Sequence, residues 1–167
     1  MGGYFAASVT ALLLRAGDDG LPPDEEIGMA TGEFQAMRVP AEQLAGVLHG
    51  QVVDPGAQPT NVVRRDEGWT VDVSWEVTGE LVDWLAGRWR VEIIADLLGG
   101  GETRHPSPPM ELTLTPGSGR YTASVPMRGQ LAPGTYDLVV NLTTTTAAGT
   151  AGTLGGFVVI SKLVVKD

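Results

Sequence analysis

The chain has 167 residues, with 20 acidic against 11 basic side chains and no cysteine. A formal charge of −9 disfavours phosphate backbones and anionic membrane surfaces as partners, so neither nucleic acid nor membrane is expected. The missing cysteines remove disulfides, thiolate metal sites and thiol nucleophiles. The length suits one domain, or one domain with a sizeable appendage.

An apolar run opens the chain, from Tyr4 to Leu14, with no basic residue before it and Arg15, Asp18 and Asp19 directly after. A secretory signal wants a positive start and a small-residue cleavage site. A spanning helix wants about 20 apolar residues. The expected location is the cytoplasm, with export by a non-standard route, or residence within a particle, as the alternative. Ala6 lacks the hydroxyl that a myristoylation motif wants there. Phe5 and Val9 suit a strand, but the periodicity equally allows a short buried helix. Residues 18–33 carry six acids and no base. Oxygen ligands for calcium are plentiful in Asp18, Asp19, Asp24, Glu25 and Glu26. The alternating spacing of a calcium loop is missing, however, and Pro22-Pro23 interrupts the stretch. A solvated acidic loop is the better account. Glu33–Val39 can form a strand. Residues 40–50 read as a short helix, with Pro40 at its first position and Gly50 near its end. Residues 1–58 are thus expected to be an extension that packs on the rest of the chain or on a neighbouring subunit.

From Asn61 the pattern is all β. A first strand is expected near Asn61–Arg65. Trp69, Val71, Val73, Trp75 and Val77 alternate with polar residues, the mark of a half-buried strand. Leu81, Trp84 and Leu85 have the spacing of one helical turn and are expected to pack together. Trp89, Val91, Ile93 and Ala95 line one face of the next strand, and residues 99–109 read as a plain loop. Further inward sets are Met110, Leu112 and Leu114; then Tyr121, Ala123, Val125 and Met127; then Tyr136, Leu138, Val140 and Leu142. A Thr/Ala/Gly loop over 143–156 precedes the last strand, Phe157–Val165. Short alternating runs between turn signals predict a mainly all-β chain, a seven-stranded antiparallel β-sandwich over residues 59–167.

The stretch Leu131-Ala-Pro-Gly-Thr-Tyr136 resembles the E–F corner of immunoglobulin-like and fibronectin III-like sandwiches. The resemblance covers about 105 residues at the level of fold. It implies that Tyr136 opens strand F and hydrogen-bonds to the backbone upstream, and that Trp89 is the core tryptophan of strand C. Trp75 belongs to the core of strand B. The departure is the absent cysteine pair, which sets the chain apart from antibody domains. Gly68–Val140 is also similar to small bacterial proteins of uncharacterised function, and the excess of Arg over Lys, with much Gly, Ala, Pro and Val, matches a high-GC bacterial genome.

Residues for chemistry are sparse. His49 and His105 lie apart, without a second ligand at strand or helix spacing, whereas zinc needs three or four ligands. Ser lacks the Gly-x-Ser-x-Gly context. Gly99–Glu102 is glycine-rich, but no helix with a Lys follows it. No pair of carboxylates stands out for glycoside chemistry. The four tryptophans share faces with Val, Ile and Leu, which suits a core better than a sugar platform. No catalytic residue, cofactor or metal ligand is therefore assigned, and the chain is not expected to be an enzyme.

The two sheets of the implied topology differ. Outer positions of strands B, D and E are Thr70, Asp72, Ser74, Glu76, Glu111, Thr113, Thr115, Thr122 and Ser124, all polar. Outer positions of C, F and G include Ile94, Val139, Val158, Ile160 and Val164, with Phe157, Val159, Leu163 and Val165 inward. A strand apolar on both parities is covered on both faces. The expected cover is the N-terminal run Phe5–Leu14, with Phe5 and Val9, or the helix at Ala41–Leu48, or another subunit or partner. The expected function is a non-catalytic structural or protein-interaction module that self-associates or docks a protein through the C-F-G face and the N-terminal arm. The alternative is a small-ligand or carbohydrate-binding module using the loops at the sandwich end.

Overall fold

The computed structural model describes residues 29–36 and 39–167; Phe5, Val9 and the acids of residues 18–26 lie outside them. The described residues form nine strands: β1 (Ala30–Ala36), β2 (Ala45–Val53), β3 (Val62–Arg64), β4 (Thr70–Thr78), β5 (Gly87–Leu97), β6 (Glu102–Leu114), β7 (Arg120–Pro126), β8 (Gly134–Thr145) and β9 (Ala151–Lys166). No α-helix occurs among the described residues. The hydrogen-bonded order is β6-β5-β8-β9-β1-β2-β4-β7, with β3 parallel to β9.

The path of strands closes on one core because β1 divides its pairing. Ala30–Glu33 pair with β2, and Phe34–Ala36 pair with β9. A side chain at Gly32 would run into the Phe157 carbonyl oxygen, so the crossing needs glycine there. Apolar faces of β2-β4-β7 and β5-β8-β9 meet in that core. Trp69, Val71, Trp75, Trp89, Val91, Ile93, Leu138, Val140 and Leu142 are each at most 2 % exposed. Trp75 of β4 meets Trp89 of β5 edge-on at 5.6 Å, Tyr121 stacks on Trp75 at 5.5 Å, and Phe34 tilts onto Trp89 at 5.7 Å. Edge-to-face pairs of this kind contribute about 0.5–1.5 kcal/mol beyond the area they bury.

Alternation places the inward sets of β4, β5, β7 and β8 as the sequence implies. Four expectations need correction. Residues 45–53 form a strand, replacing most of the helix expected over 40–50. Ala45–Val53 pair in unbroken register with all nine residues of β4, and Leu48, Gly50 and Val52 face the core. The partner strand outweighs the helical punctuation at Pro40 and Gly50. Residues 102–109 belong to β6, not a loop, and β6 pairs with β5, not with the β4–β7 sheet. Pro106, Pro108 and Pro109 are tolerated because β6 is an edge strand. β8 and β9 extend through most of residues 143–156, leaving a tight turn at 146–150. Trp84, at the end of the Val82–Trp84 turn, is 81 % exposed while Leu81 and Leu85 pack against the core.

Tyr136 is buried, and its hydroxyl donates to the Ala132 carbonyl at 2.8 Å. This is the upstream backbone bond implied by the corner motif.

Candidate functional site

The outer face of β5-β8-β9 is the largest departure from an ordinary wet sheet. Register fixes what it presents. Ile94 pairs with Val139, and Val139 with Val159, so three apolar side chains form one row across three strands. Glu92, Asn141 and Phe157 form the next row. Phe157 is 57 % exposed and Val159 43 %, while Ile94 and Val139 are half-buried. Val164 of β9 lies beside Val62 of β3, also exposed, beyond the row of Asp96 and Asp137.

Part of this assignment reverses the sequence expectation. Val158 faces the core at 3 % exposure, and Ile160 packs against it. Phe157 and Val159 face out instead. The cause is a bulge. Tyr136 pairs with Leu163 and Leu138 with Ile160, so two residues of β9, Ser161 and Lys162, oppose Asp137 alone. Lys162 takes φ +61°, and its backbone N–H donates to Asp137 Oδ1 at 3.0 Å. An extra residue inverts the side-chain parity. Before the bulge Leu154, Val158 and Ile160 point inward; after it Leu163 and Val165 do. Apolar residues on both parities therefore reflect a parity switch, not a strand covered on both faces throughout. The polar pair Ser161-Lys162 inside an apolar run was the signal for it.

Of the sequence-assigned face, Ile94, Val139 and Val164 lie outside as expected, Val158 and Ile160 do not, and Phe5 and Val9 fall outside the described residues. Charged side chains frame the apolar rows. Arg104 binds Glu92 at 3.1 Å and Glu102 at 3.0 Å, and Arg88 binds Glu111 at 2.7 Å. A shallow groove of about 280 Å³ runs beside Phe157, with Glu33, Asn141 and Thr143 on its walls.

The opposite sheet is polar on its outer face, and several of its side chains bond to one another. Asp72 Oδ1 accepts from Ser124 Oγ at 2.6 Å and from Thr70 Oγ1 at 2.9 Å. Thr31 Oγ1 lies 3.0 Å from His49 Nδ1, and Arg120 binds Glu76 at 3.2 Å. His105 is on β6, with Thr103 as its partner at 3.1 Å. Among the described residues no three His, Asp or Glu side chains group as metal ligands, and no helix is long and apolar enough to cross a membrane. No protein-family model, curated protein or solved structure matches the chain.

Proposed function

We propose that the chain is a non-catalytic interaction module that docks a protein through the outer face of β5-β8-β9. One observation carries this reading: the row Ile94–Val139–Val159 lies across three strands, and Val159 and the flanking Phe157 are substantially exposed. Covering side chains of this size at about 25 cal/mol per Å² is worth several kcal/mol, and an open patch of the kind invites association. The opposite face, by contrast, is polar, with Asp72 bonded to Thr70 and Ser124 and Glu76 to Arg120.

An immunoglobulin-like topology for β3 to β9 belongs to the same proposal. Pairing of β4 with β7, the set β6-β5-β8-β9, the parallel contact of β3 with β9 and the Tyr136 corner all support it.

A photo-crosslinking amino acid at Val159, compared with one at Thr122 on the polar face, tests the docking surface. Irradiation in cells is expected to give a discrete protein adduct from position 159 and none from 122. Absence of any adduct at 159 removes the proposal.

A further inference from the structure

We infer that the N-terminal run Phe5–Ala11 adds a strand to the free edge of β7 in its own chain. The inference does not depend on the docking role of the β5-β8-β9 face. β7 ends the path of strands and is paired on one side alone, with β4. The register shows which of its backbone groups are spare. Met127 N–H donates to the Trp69 carbonyl at 3.0 Å, and Val77 N–H to the Gly119 carbonyl at 2.7 Å. Hydrogen-bonded pairs recur at every second residue of an antiparallel ladder, so Tyr121, Ala123 and Val125 bond to β4. Thr122 and Ser124 turn both N–H and C=O the other way, and those groups have no partner among the described residues. The opposite end of the path, β6, is guarded by Pro106, Pro108 and Pro109. β7 has no lysine and no bulge, and its one proline stands at the last position. Natural edges are blunted by such devices or else covered. Beside β7 the core is also incompletely closed. Tyr121 and Ala123 pack against it yet stay half-buried, as do Met110 and Leu112 on β6.

Three features select the occupant. First, Phe5, Ala7, Val9 and Ala11 share one parity of a strand, and Ala6, Ser8 and Thr10 share the other. In a strand added to β7 the first set lies beside Tyr121, Ala123 and Val125, toward the core. Ser8 and Thr10 then join the hydroxyls of Thr122 and Ser124 outside. Second, an apolar run that leaves water must find partners for its backbone N–H and C=O groups. A sheet edge supplies them; the outer face of β5-β8-β9 does not. Third, the described residues begin on the correct side of the molecule. Met29 lines a groove of about 370 Å³ with Asp72, Ser74, Thr122 and Ser124, on the sheet that ends at β7. From β2, where β1 starts its pairing, to a strand beyond β7 is three strand spacings, about 14 Å. Residues 15–28 can span about 45 Å.

The chain has no cysteine, so introduced thiols report on this contact alone. Ser8→Cys or Thr10→Cys, each combined with Thr122→Cys, is treated with a bifunctional thiol reagent of about 5 Å, one strand spacing. A link within the chain is expected from at least one of the two. None is expected from Val9→Cys with Thr122→Cys, whose side chains lie on opposite faces. Amide exchange of the full chain gives a second readout. Thr122 and Ser124 N–H are expected to be protected like that of Ala123. Val9→Asp, which sets a charge against the core, is expected to speed their exchange about tenfold or more while Val73 stays protected. Near-UV circular dichroism equal to wild type certifies that this variant is folded; if it is not, the thiol links, which alter no apolar residue, decide. Free exchange at Thr122 and Ser124 in the full chain overturns the inference, as does protection that a folded Val9→Asp variant leaves unchanged. No link from either position, a link formed only between chains, or one formed equally well from Val9 also overturns it. The crosslink at Val159 reads the other sheet, so either proposal can fail alone.

Discussion

Tyr136 shows how much one side chain can be read from its neighbours. Leu131, Pro133 and Gly134 mark a corner, and the tyrosine two residues after the glycine has its ring in the core and its hydroxyl on the Ala132 carbonyl at 2.8 Å. Ala132 itself is exposed, so its carbonyl can turn to water if the hydroxyl is removed. Tyr136→Phe is therefore expected to cost about 1 kcal/mol, the net worth of one neutral hydrogen bond. In urea this lowers the unfolding midpoint without changing the slope; an unchanged midpoint shows that the corner bond adds nothing. Trp84 marks the limit of the same kind of inference. Its spacing from Leu81 fits one helical turn, but Val82–Trp84 is a 3-10 turn, and the indole projects into solvent. Spacing within so short an element does not decide which side chains face the core; the neighbouring strands do.

Strand faces were legible wherever alternation ran unbroken, as in β4 and β5, because period two and burial are the same fact in a half-buried strand. They were illegible where a partner or a defect intervened. β2 has a helix-like opening, yet β4 offers it nine pairing residues. β6 is rich in proline, which only an edge strand accepts. β9 changes parity at Ser161-Lys162, and this moved Phe157 and Val159 from the expected core to the outer face. The bulge has an identifiable clamp, the Asp137 carboxylate receiving the Lys162 N–H at 3.0 Å. Lys162 holds a left-handed conformation that a non-glycine residue adopts at a cost of about 1–2 kcal/mol. Asp137→Ala removes the charge-assisted bond that offsets this, and the expected loss is about 2 kcal/mol. Asp137→Asn keeps an acceptor oxygen and should lose less than half as much. Amide exchange at Lys162 is expected to quicken in the alanine variant first. Equal losses in the two variants show that the carboxylate is not the clamp.

At the scale of the whole molecule, the unit that must hold together is the seam where β1 leaves β2 for β9. Phe34 sits on that seam with its ring against Trp89 at 5.7 Å. Gly46 and Gly156 leave the space the ring occupies, since a side chain at either would press on its edge atoms. Trp89 in turn meets Trp75 of the other sheet and Tyr121 of β7, so one aromatic chain ties β1, β4, β5 and β7. A seam of this kind makes the two sheets a single cooperative body, because neither can open without uncovering the same indoles. Phe34→Ala leaves a void that the flanking strands cannot fill by a small shift. Phe34 is only half-buried, so the expected cost is about 3 kcal/mol, the lower end of the range for such truncations. Unfolding is still expected as one transition, with near-UV and far-UV circular dichroism falling together. If β1 and β2 were instead an appendage laid over a self-sufficient seven-stranded sandwich, the near-UV signal of Trp75 and Trp89 would outlast part of the far-UV loss. Two separated transitions in the variant would mean that β1 decorates the fold; one lowered transition means that β1 closes it.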